Sequence, residues 1–374
     1  MSFVEPSYGG RTLGDVLPAV ARALGVDVGF HETSLVMPPA PRYVVFLVDG
    51  LGHRLVAEHA EHAPYLHALL NEPGSGHGVA GVPSTTATSL TSLGTALTPG
   101  QHGLVGFTSR IPGTEKLLNA LFWDKEKVDP AQWQPNPSGF ARLRAAGVHA
   151  TVVSKREFMD SGLTLSGFRG AEFVGADRIG ERIAGVVAAS AESPSLTYVY
   201  DGDLDWTGHR YGVDSPQWRA QLSAVDASAE QLREALDPAV RLVVVADHGM
   251  VDSPQPARVD VDENPDLRAG VQLLGGEARF RHLYCSGGAV DDVLTTWRSI
   301  LGDRALVLSR DEAIDRGWFG TVAPSVRPRL GDVLVAARGD MAVISTADFP
   351  YENTLVGLHG SLTPAEMEIP ILLA

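Results

Sequence analysis

The stretch YVVFLVDGLG, residues 43–52, runs from six apolar residues directly into an aspartate that is followed by two glycines. A short apolar run rich in β-branched residues predicts a buried strand, and the absence of polar alternation predicts that both faces of the strand are covered. Similar runs occur at residues 148–154, 196–200 and 241–246. Together these four stretches predict a parallel sheet at the centre of the fold.

Helical segments are predicted between these strands, at residues 55–70 and 223–236. Alternating strands and helices are typical of an α/β fold with a doubly wound, mostly parallel sheet and helices on both faces. In such sheets the functional groups lie beyond the carboxyl ends of the strands. Polar residues follow three of the strands here, at Asp49, at residues 201–205 and at residues 247–248. We therefore expect a functional site at that edge of the sheet.

The composition of the sequence changes after Met250 to a stretch rich in Pro, Asp and Gly. A helix is predicted further on at residues 289–300, and a strand at residues 305–308. A chain of 374 residues is also long for a single minimal core. We interpret residues 259–344 as a small α+β insertion that acts as a cap subdomain. Residues 1–258 and 345–374 then form the main domain, which carries the expected functional site.

The formal net charge of -15 disfavours polymeric nucleic acid and anionic lipid surfaces as partners. A small phosphoester remains compatible with this charge, because bound metal ions can reverse the local potential. The only cysteine is Cys285, the start MSFVEPSYGG lacks the features of a signal peptide, and no apolar run is long enough to span a membrane. These features predict a cytoplasmic protein without a membrane partner, and they leave the oligomeric state open.

Six candidate metal ligands stand at strand ends, on a predicted helical turn or in a glycine-flanked loop. They are Asp49, Asp205, His209, Asp247, His248 and His359. Asp205 and His209 are four residues apart, which places both side chains on one face of a helical turn. Each motif alone is more often a cap or turn than a ligand. Because a two-metal site needs about six His and carboxylate groups, their joint occurrence favours such a site.

The hydroxyl nucleophile that such chemistry requires has many candidates in GVPSTTATSLTSLGTALTPGQHGL, residues 81–104. Residue chemistry alone does not choose among them. A stretch rich in Ser and Thr is also typical of a capped helix start. A helix start suits the chemistry, since its free N–H groups favour a bound phosphoryl group.

These motifs, taken in order, resemble the alkaline phosphatase superfamily, and within it the type I phosphodiesterase and nucleotide pyrophosphatase branch. Counting back from Pro99 and His102 in the Pro-x-x-His-Gly end of the nucleophile helix, the resemblance implies that Thr86 is the nucleophile. Thr85 is the neighbouring alternative. The resemblance also implies two divalent metal ions, zinc first and manganese as the alternative.

The same resemblance assigns the ligands to two sites. One site would take Asp205, His209 and His359. The other would take Asp49, Asp247 and His248, together with the nucleophile Thr86.

One position departs from the pattern of that branch. The branch has an Asn five residues after the histidine of its His-Gly motif, where it helps to bind a phosphoryl oxygen, and this chain has Phe107 there. The clamp on that oxygen is therefore missing or supplied elsewhere. Thr85, Phe107 and Asn119 are the candidate substrate contacts, and Thr108 could also substitute for the missing Asn.

The resemblance implies a two-metal phosphohydrolase, close to phosphodiesterases and nucleotide pyrophosphatases, that works through a phosphothreonine. Monoesterases of this superfamily add a cation, such as an arginine, that holds the additional charged oxygen of a monoester. Arg110 is the only arginine between Thr86 and Asp124, so a diester is favoured. The alternatives are a phosphomonoesterase or phosphonate hydrolase, a manganese-dependent phosphomutase and a catalytically inactive metal-binding protein. The insertion is expected to help shape the substrate pocket and to contact the leaving group.

Overall fold

The computed structural model describes residues 2–374, which form seventeen strands and fifteen α-helices. The strands, in chain order, are β1 (Arg42–Val48), β2 (Gly76–Val79), β3 (Thr108–Arg110), β4 (Leu117–Asn119), β5 (His149–Ser154), β6 (Glu172–Gly175), β7 (Ser195–Asp201), β8 (Val240–Val245), β9 (Val251–Asp252), β10 (Arg258–Asp260), β11 (Val271–Glu277), β12 (Phe280–Cys285), β13 (Ala305–Ser309), β14 (Val333–Ala337), β15 (Ala342–Ile344), β16 (Gly357–Leu358) and β17 (Glu368–Leu373). The helices are α1 (Val16–Ala23), α2 (His53–Glu58), α3 (Pro64–Leu69), α4 (Thr86–Thr95), α5 (Pro99–His102), α6 (Pro130–Trp133), α7 (Gly139–Ala145), α8 (Gly162–Gly167), α9 (Ile179–Ala189), α10 (Asp203–Tyr211), α11 (Pro216–Ala235), α12 (Pro265–Arg268), α13 (Val290–Leu301), α14 (Arg310–Asp315) and α15 (Pro364–Met367).

Seven strands form the central sheet, in the order β2-β17-β8-β1-β7-β5-β6. The five strands from β8 to β6 are parallel, and β17 runs antiparallel to both of its neighbours. The predicted α/β fold with a doubly wound, mostly parallel sheet is confirmed. Strand β1 pairs with β7 on one side and β8 on the other. The carboxyl ends of these three strands therefore lie side by side, and the polar residues that follow them meet at one edge.

All four predicted buried strands are present, as β1, β5, β7 and β8. The predicted helix at residues 55–70 is wrong, because the chain forms the two short helices α2 and α3 there. Pro64 begins α3, and a proline disfavours helical backbone in the residue before it. Ala63 accordingly has φ -138 and ψ 57. The apolar spacing of this stretch predicted a helix correctly on each side of the break but not the break itself.

A second, antiparallel sheet lies within residues 259–344, in the order β11-β12-β14-β13. Strands β10 and β15, at the two ends of this segment, pair with each other in parallel. One set of buried side chains, including Trp297 and Leu283, forms a separate apolar cluster. Phe280 and Trp318 instead belong to the main core. The second sheet thus has its own core and also packs against the central domain.

Buried charged groups join the second sheet to the rest of the chain. Arg279 donates to both carboxylate oxygens of Glu366 at 2.7 and 2.8 Å, and neither side chain is exposed. Arg281 pairs with Glu352 in the same way. Removing one partner of a buried ion pair leaves an uncompensated charge. The second sheet is therefore attached by directional ion pairs as well as by apolar packing.

Among the described residues, no helix combines the length and hydropathy required to cross a membrane.

Two neutral histidines are buried near this attachment, and burial lowers the pKa of His102 and of His282 to about 3. His282 Nε2 donates to the Val105 carbonyl at 2.9 Å, and its Nδ1 accepts from the Gly331 amide at 2.9 Å. Both nitrogens are thus used only if the ring is neutral. A proton added to either ring would be buried without a partner.

We expect this pair of histidines to make the fold sensitive to acid. A histidine whose pKa is lower in the folded than in the unfolded chain contributes stability above its ordinary pKa of 6.5 and loses it as the pH falls toward 3. Each ring should lower the free energy of unfolding by about 2 kcal/mol between pH 7 and pH 5. In urea unfolding of metal-free protein, the free energy of unfolding should fall less for His282→Gln than for the wild type over this range. The exposed His77→Gln is the control, and an equal slope in His282→Gln would contradict the argument.

Candidate active site

The six candidate ligands converge at the carboxyl edge of the central sheet. Asp49 follows β1, and residues 247–248 follow β8. Helix α10, which begins two residues after β7, carries Asp205 and His209 on one face. His359 reaches the same place from the end of β16. The chain brings these residues together from four separate segments, as the sequence predicted, and they form two groups of three whose ligand atoms lie within 4.8 Å of one another.

The first group contains Asp205, His209 and His359. Asp205 Oδ2 lies 3.2 Å from His209 Nε2, and its Oδ1 lies 3.8 Å from His359 Nε2. The two imidazole Nε2 atoms are 3.3 Å apart. Two nitrogens and a carboxylate that converge in this way match the ligand types of a zinc site.

The second group contains Asp49, Asp247 and His248. His248 Nε2 lies 3.4 Å from Asp49 Oδ1 and 3.3 Å from Asp247 Oδ2. The rings of His248 and His359 stack with their centroids 3.6 Å apart. The two ligand groups are therefore immediate neighbours and could serve one substrate together.

Backbone carbonyl groups fix the orientation of all three histidines. The Nδ1 atoms of His209, His248 and His359 lie 2.8 to 2.9 Å from the carbonyl oxygens of Gly357, Gly249 and Ser84. A carbonyl oxygen only accepts, so each Nδ1 must carry a proton and donate it. In the neutral ring the Nε2 lone pair is then free, and it points into the ligand group in each case. Such a second contact is typical of metal-binding histidines.

Three buried carboxylate oxygens in the two groups have no hydrogen-bond partner within residues 2–374: Oδ1 of Asp49, Oδ1 of Asp205 and Oδ2 of Asp247. Burial, with the negative charges of Asp247 and Asp205, holds the pKa of Asp49 well above its ordinary value. Burial likewise raises the pKa of Asp247. Although burial also disfavours ionised Asp205, contact with His209 lowers its pKa. Unpartnered buried carboxylates are costly unless cations compensate them, so the residues present fit two divalent metal ions.

Thr86 is the first residue of α4, and its hydroxyl faces the second ligand group. Its Oγ1 lies 3.4 Å from Asp49 Oδ2 and 3.3 Å from His248 Nε2. The free amide groups at the start of α4 and the helix dipole favour an anionic phosphoryl group at this point. Thr85, the neighbouring alternative, instead lies with its side chain beside Glu277. Of the two hydroxyls, that of Thr86 lies beside the candidate metal ligands.

Tyr200 is a site residue that the sequence reasoning missed. Its hydroxyl donates a hydrogen bond to Asp49 Oδ2 at 2.5 Å. Burial, with the charge of Asp49, holds the pKa of this phenol well above its ordinary value, so it stays a donor. A tyrosine inside a predicted buried strand carries no signal of such a role, because aromatic residues are common there.

The three candidate substrate contacts have other partners. The Phe107 amide donates to Glu277 Oε2 at 3.1 Å. The Asn119 side chain accepts from the amides of Leu121 and Phe122 at 3.0 Å each. Asn119 therefore stabilises a turn, and its role as a substrate contact stays a prediction. Glu277, which accepts from the Phe107 amide and lies beside Thr85, had no motif to mark it in the sequence.

A cavity of about 360 Å³ opens beside Thr86 and the two ligand groups. Its lining is mostly apolar and aromatic, and the only charged side chains among the described lining residues are the ligands Asp49 and Asp205. Phe122 and Trp206 line it while remaining 81% and 53% exposed. The described lining residues fall between residues 49 and 206, so none comes from the 259–344 insertion that was expected to shape the pocket. Glu277, in the same segment, approaches the site through its contact with Phe107.

Comparison with known proteins identifies the family of this chain. The model of the family "Type I phosphodiesterase / nucleotide pyrophosphatase" matches residues 43–362. Human ectonucleotide pyrophosphatase/phosphodiesterase family member 7 is 39% identical over 64 residues, and the mouse protein is 34% identical over the same length. The human match covers 16% of this chain and 14% of the relative, so the aligned part is a small fraction of both proteins.

Solved structures share the fold at low sequence identity. Murine ectonucleotide pyrophosphatase/phosphodiesterase 5, as an inactive variant in complex with AMP, has a TM-score of 0.68 and 19% identity over 89% of this chain and 87% of its own. Phosphonoacetate hydrolase from Sinorhizobium meliloti 1021, in complex with phosphonoformate, has a TM-score of 0.65 and 18% identity over 90% of each chain. Because the family model spans most of the chain, the protein belongs to the type I phosphodiesterase/nucleotide pyrophosphatase family.

Proposed function

We propose that this chain is a two-metal phosphodiesterase that works through a phosphothreonine at Thr86. The observation that carries the proposal is the position of Thr86 Oγ1, within 3.4 Å of Asp49 and His248 at the start of a helix. A nucleophilic hydroxyl, an anion-binding helix start and two groups of metal ligands are the parts that phosphoryl transfer requires. The complete set of ligands and the intact hydroxyl argue against an inactive metal-binding protein.

Two zinc ions are the first choice for the ligand groups, and manganese is the alternative. When bound, such ions supply positive charge for the phosphoryl oxygens and lower the pKa of a coordinated hydroxyl or water. Asp205, His209 and His359 would hold one ion. Asp49, Asp247 and His248 would hold the other.

The chain's own groups orient the reaction. Thr86 Oγ1 attacks phosphorus while the alcohol of the ester leaves on the opposite side, and water then cleaves the phosphothreonine in a second displacement. Amide groups at the start of α4 hold a phosphoryl oxygen. Tyr200 fixes Asp49 through its 2.5 Å hydrogen bond and so fixes the side chain beside the nucleophile.

The cavity beside Thr86 favours a diester over a monoester. A diester carries a second organic group, which an apolar and aromatic cavity can accept. A monoester carries an additional negative charge instead, and the described residues that line the cavity include no cationic side chain to receive it. Arg110, the one arginine considered from sequence, stacks on the Tyr284 ring at 4.7 Å and does not line the cavity. The same lack of a cation disfavours a phosphonate that carries a second acidic group.

The test is a comparison of substrates on one preparation. Metal-stripped protein is restored with zinc, manganese or magnesium and assayed with bis(p-nitrophenyl) phosphate, p-nitrophenyl phosphate and phosphonoacetate. We expect kcat/KM for the diester to exceed the other two by at least about tenfold, with zinc or manganese more effective than magnesium. Faster turnover of the monoester or of phosphonoacetate would replace the diester assignment.

Phe122→Ala should separate large from small diesters. Because Phe122 is 81% exposed, its removal costs little packing, but it takes an aromatic face away from the cavity. We expect kcat/KM for an aryl diester to fall about tenfold, while that for a methyl aryl diester with a small second group changes less. Tyr351→Ala, at an aromatic residue that is 69% exposed and outside this cavity, is the matched control. Equal losses for both substrates would contradict a role in holding the second ester group.

The proposal retains the division into a catalytic domain, residues 1–258 and 345–374, and an inserted subdomain, residues 259–344. It is supported by the separate sheet and apolar cluster of that segment. A small phosphoester is the proposed partner. The cytoplasmic location stays a prediction.

A further inference from the structure

Glu277, the last residue of β11, is a buried acidic residue that the proposed mechanism does not use. Its side chain is 7% exposed, and its Oε1 atom has no hydrogen-bond partner among the residues that the structure describes. The residue comes from the second sheet, yet its contacts lie in the nucleophile region. A buried carboxyl group is costly to maintain, so its surroundings indicate what it is used for.

The Glu277 carboxyl group joins two segments that precede and follow the nucleophile helix. The Phe107 amide donates to Oε2 at 3.1 Å, and the Thr85 side chain lies beside the same carboxyl group. Thr85 is the N-cap residue of α4, directly before the nucleophile Thr86. Phe107 occupies the position where the family pattern has an Asn. Glu277 therefore contacts the chain at the position of the missing clamp.

Glu277 also packs on the backbone beside a proposed metal ligand. A β-carbon at Gly360 would lie only 2.7 Å from Glu277 Cγ, so only a glycine permits this approach. Gly360 directly follows His359, and its carbonyl accepts from the Ser84 amide at 3.1 Å. The His359 ring in turn donates to the Ser84 carbonyl. The segment before Thr86 and the segment around His359 are thus held together, with Glu277 packed against both.

We propose that Glu277 is a positioning residue for phosphoryl transfer, which sets the start of the nucleophile helix relative to the His359 segment. The inference rests on the proposed phosphodiesterase activity. It places part of the active-site support in the insertion, whereas the metal ligands and Thr86 all lie outside residues 259–344. A small displacement of Thr86 from the reacting phosphorus should lower turnover strongly, since reacting groups must be held within a fraction of an ångström.

The carboxyl group can act in its neutral form. Burial raises the pKa of Glu277 to about 8, although the contacts of the carboxyl group with Thr85 and the Phe107 amide oppose the shift. A neutral acid can accept from the Phe107 amide with one oxygen and keep a proton on the other. Glutamine has the same shape and the same pairing of one acceptor with one donor group. Glu277→Gln is therefore a conservative replacement, and Glu277→Ala removes the contact.

The test compares both variants in the diester assay on zinc-loaded protein. We expect Glu277→Ala to lower kcat about 10- to 100-fold with KM changed by less than about threefold, and Glu277→Gln to stay within about threefold of the wild type. Metal content should be unchanged in both variants. A wild-type kcat in Glu277→Ala, or a loss in Glu277→Gln as large as in Glu277→Ala, would overturn the proposal. An inactive wild-type protein would instead overturn the proposed function.

The same contact can also be removed by changing Thr85, and this tests the proposal if Glu277→Ala does not fold. Thr85→Val removes the hydroxyl with little change in shape, and Thr85→Ser retains it. We expect kcat to fall about tenfold in Thr85→Val and to remain near the wild-type value in Thr85→Ser. Where Glu277→Ala folds, the double variant with Thr85→Val should be no slower than Glu277→Ala alone, because one contact is broken twice. A wild-type kcat in Thr85→Val, or losses that multiply, would contradict the proposal.

Discussion

Thr86→Ala should lower kcat for a diester by on the order of 10⁴-fold or more while the protein remains folded and retains its metal ions. The reason is that the substitution removes the attacking oxygen and leaves all six His and Asp ligands in place. The Thr86 hydroxyl makes only long contacts, of 3.3 and 3.4 Å, to its neighbours. Its loss should therefore cost little stability. Stopped reactions with labelled diester should show label on the wild-type protein and none on the variant.

Controls at the same and the adjacent position distinguish the nucleophile from its neighbour. Thr86→Ser keeps an oxygen and should retain measurable turnover and labelling. Thr85→Ala should lose far less than Thr86→Ala, since its hydroxyl contacts Glu277 rather than the ligand group. Full activity in Thr86→Ala together with loss in Thr85→Ala would move the nucleophile by one residue.

The sequence predicted the fold and the convergence of the candidate ligands for a shared physical reason. An apolar strand that is covered on both faces leaves a plain signature, and a parallel sheet brings the residue after each strand to one edge. Asp49 and Asp247 could be placed together from this rule alone. His359 could not, because the two-residue strand before it has no pattern of its own. Its assignment to the group with Asp205 and His209 came from the family resemblance.

The supporting residues could not be predicted, because their roles depend on contacts between segments that are far apart in the chain. Tyr200 contacts Asp49 across 151 positions, and Glu277 contacts Phe107 across 170. Neither residue stands in a motif. The cavity lining is equally hidden, since Phe122 lies in a loop and Trp206 in a short helix between two site residues. Local patterns identify candidate ligands at strand ends, whereas the residues that support those ligands through further contacts depend on the tertiary structure.

His359→Ala should remove one of two zinc ions from each chain and lower turnover by on the order of 10³-fold. The group around Asp205 would keep one carboxylate and His209, which are too few protein ligands for tight zinc binding. The second group does not use His359 as a ligand and should keep its ion. Zinc analysis after dialysis against a weak chelator should give two ions per wild-type chain and one per variant chain.

The variant also tests whether the two ligand groups act independently. The His359 ring stacks on His248 at 3.6 Å, but its Nδ1 proton goes to Ser84 and its Nε2 faces the first group. Removing the ring therefore changes the packing around His248 without changing the carbonyl that orients it. His248→Ala should lose the other ion, and the exposed His77→Ala should keep both. If His359→Ala retained two tightly bound zinc ions, His359 would not be a ligand. If His359→Ala lost both zinc ions, the stacked rings would couple the two sites. Excess zinc should then restore metal binding to the second group before the first.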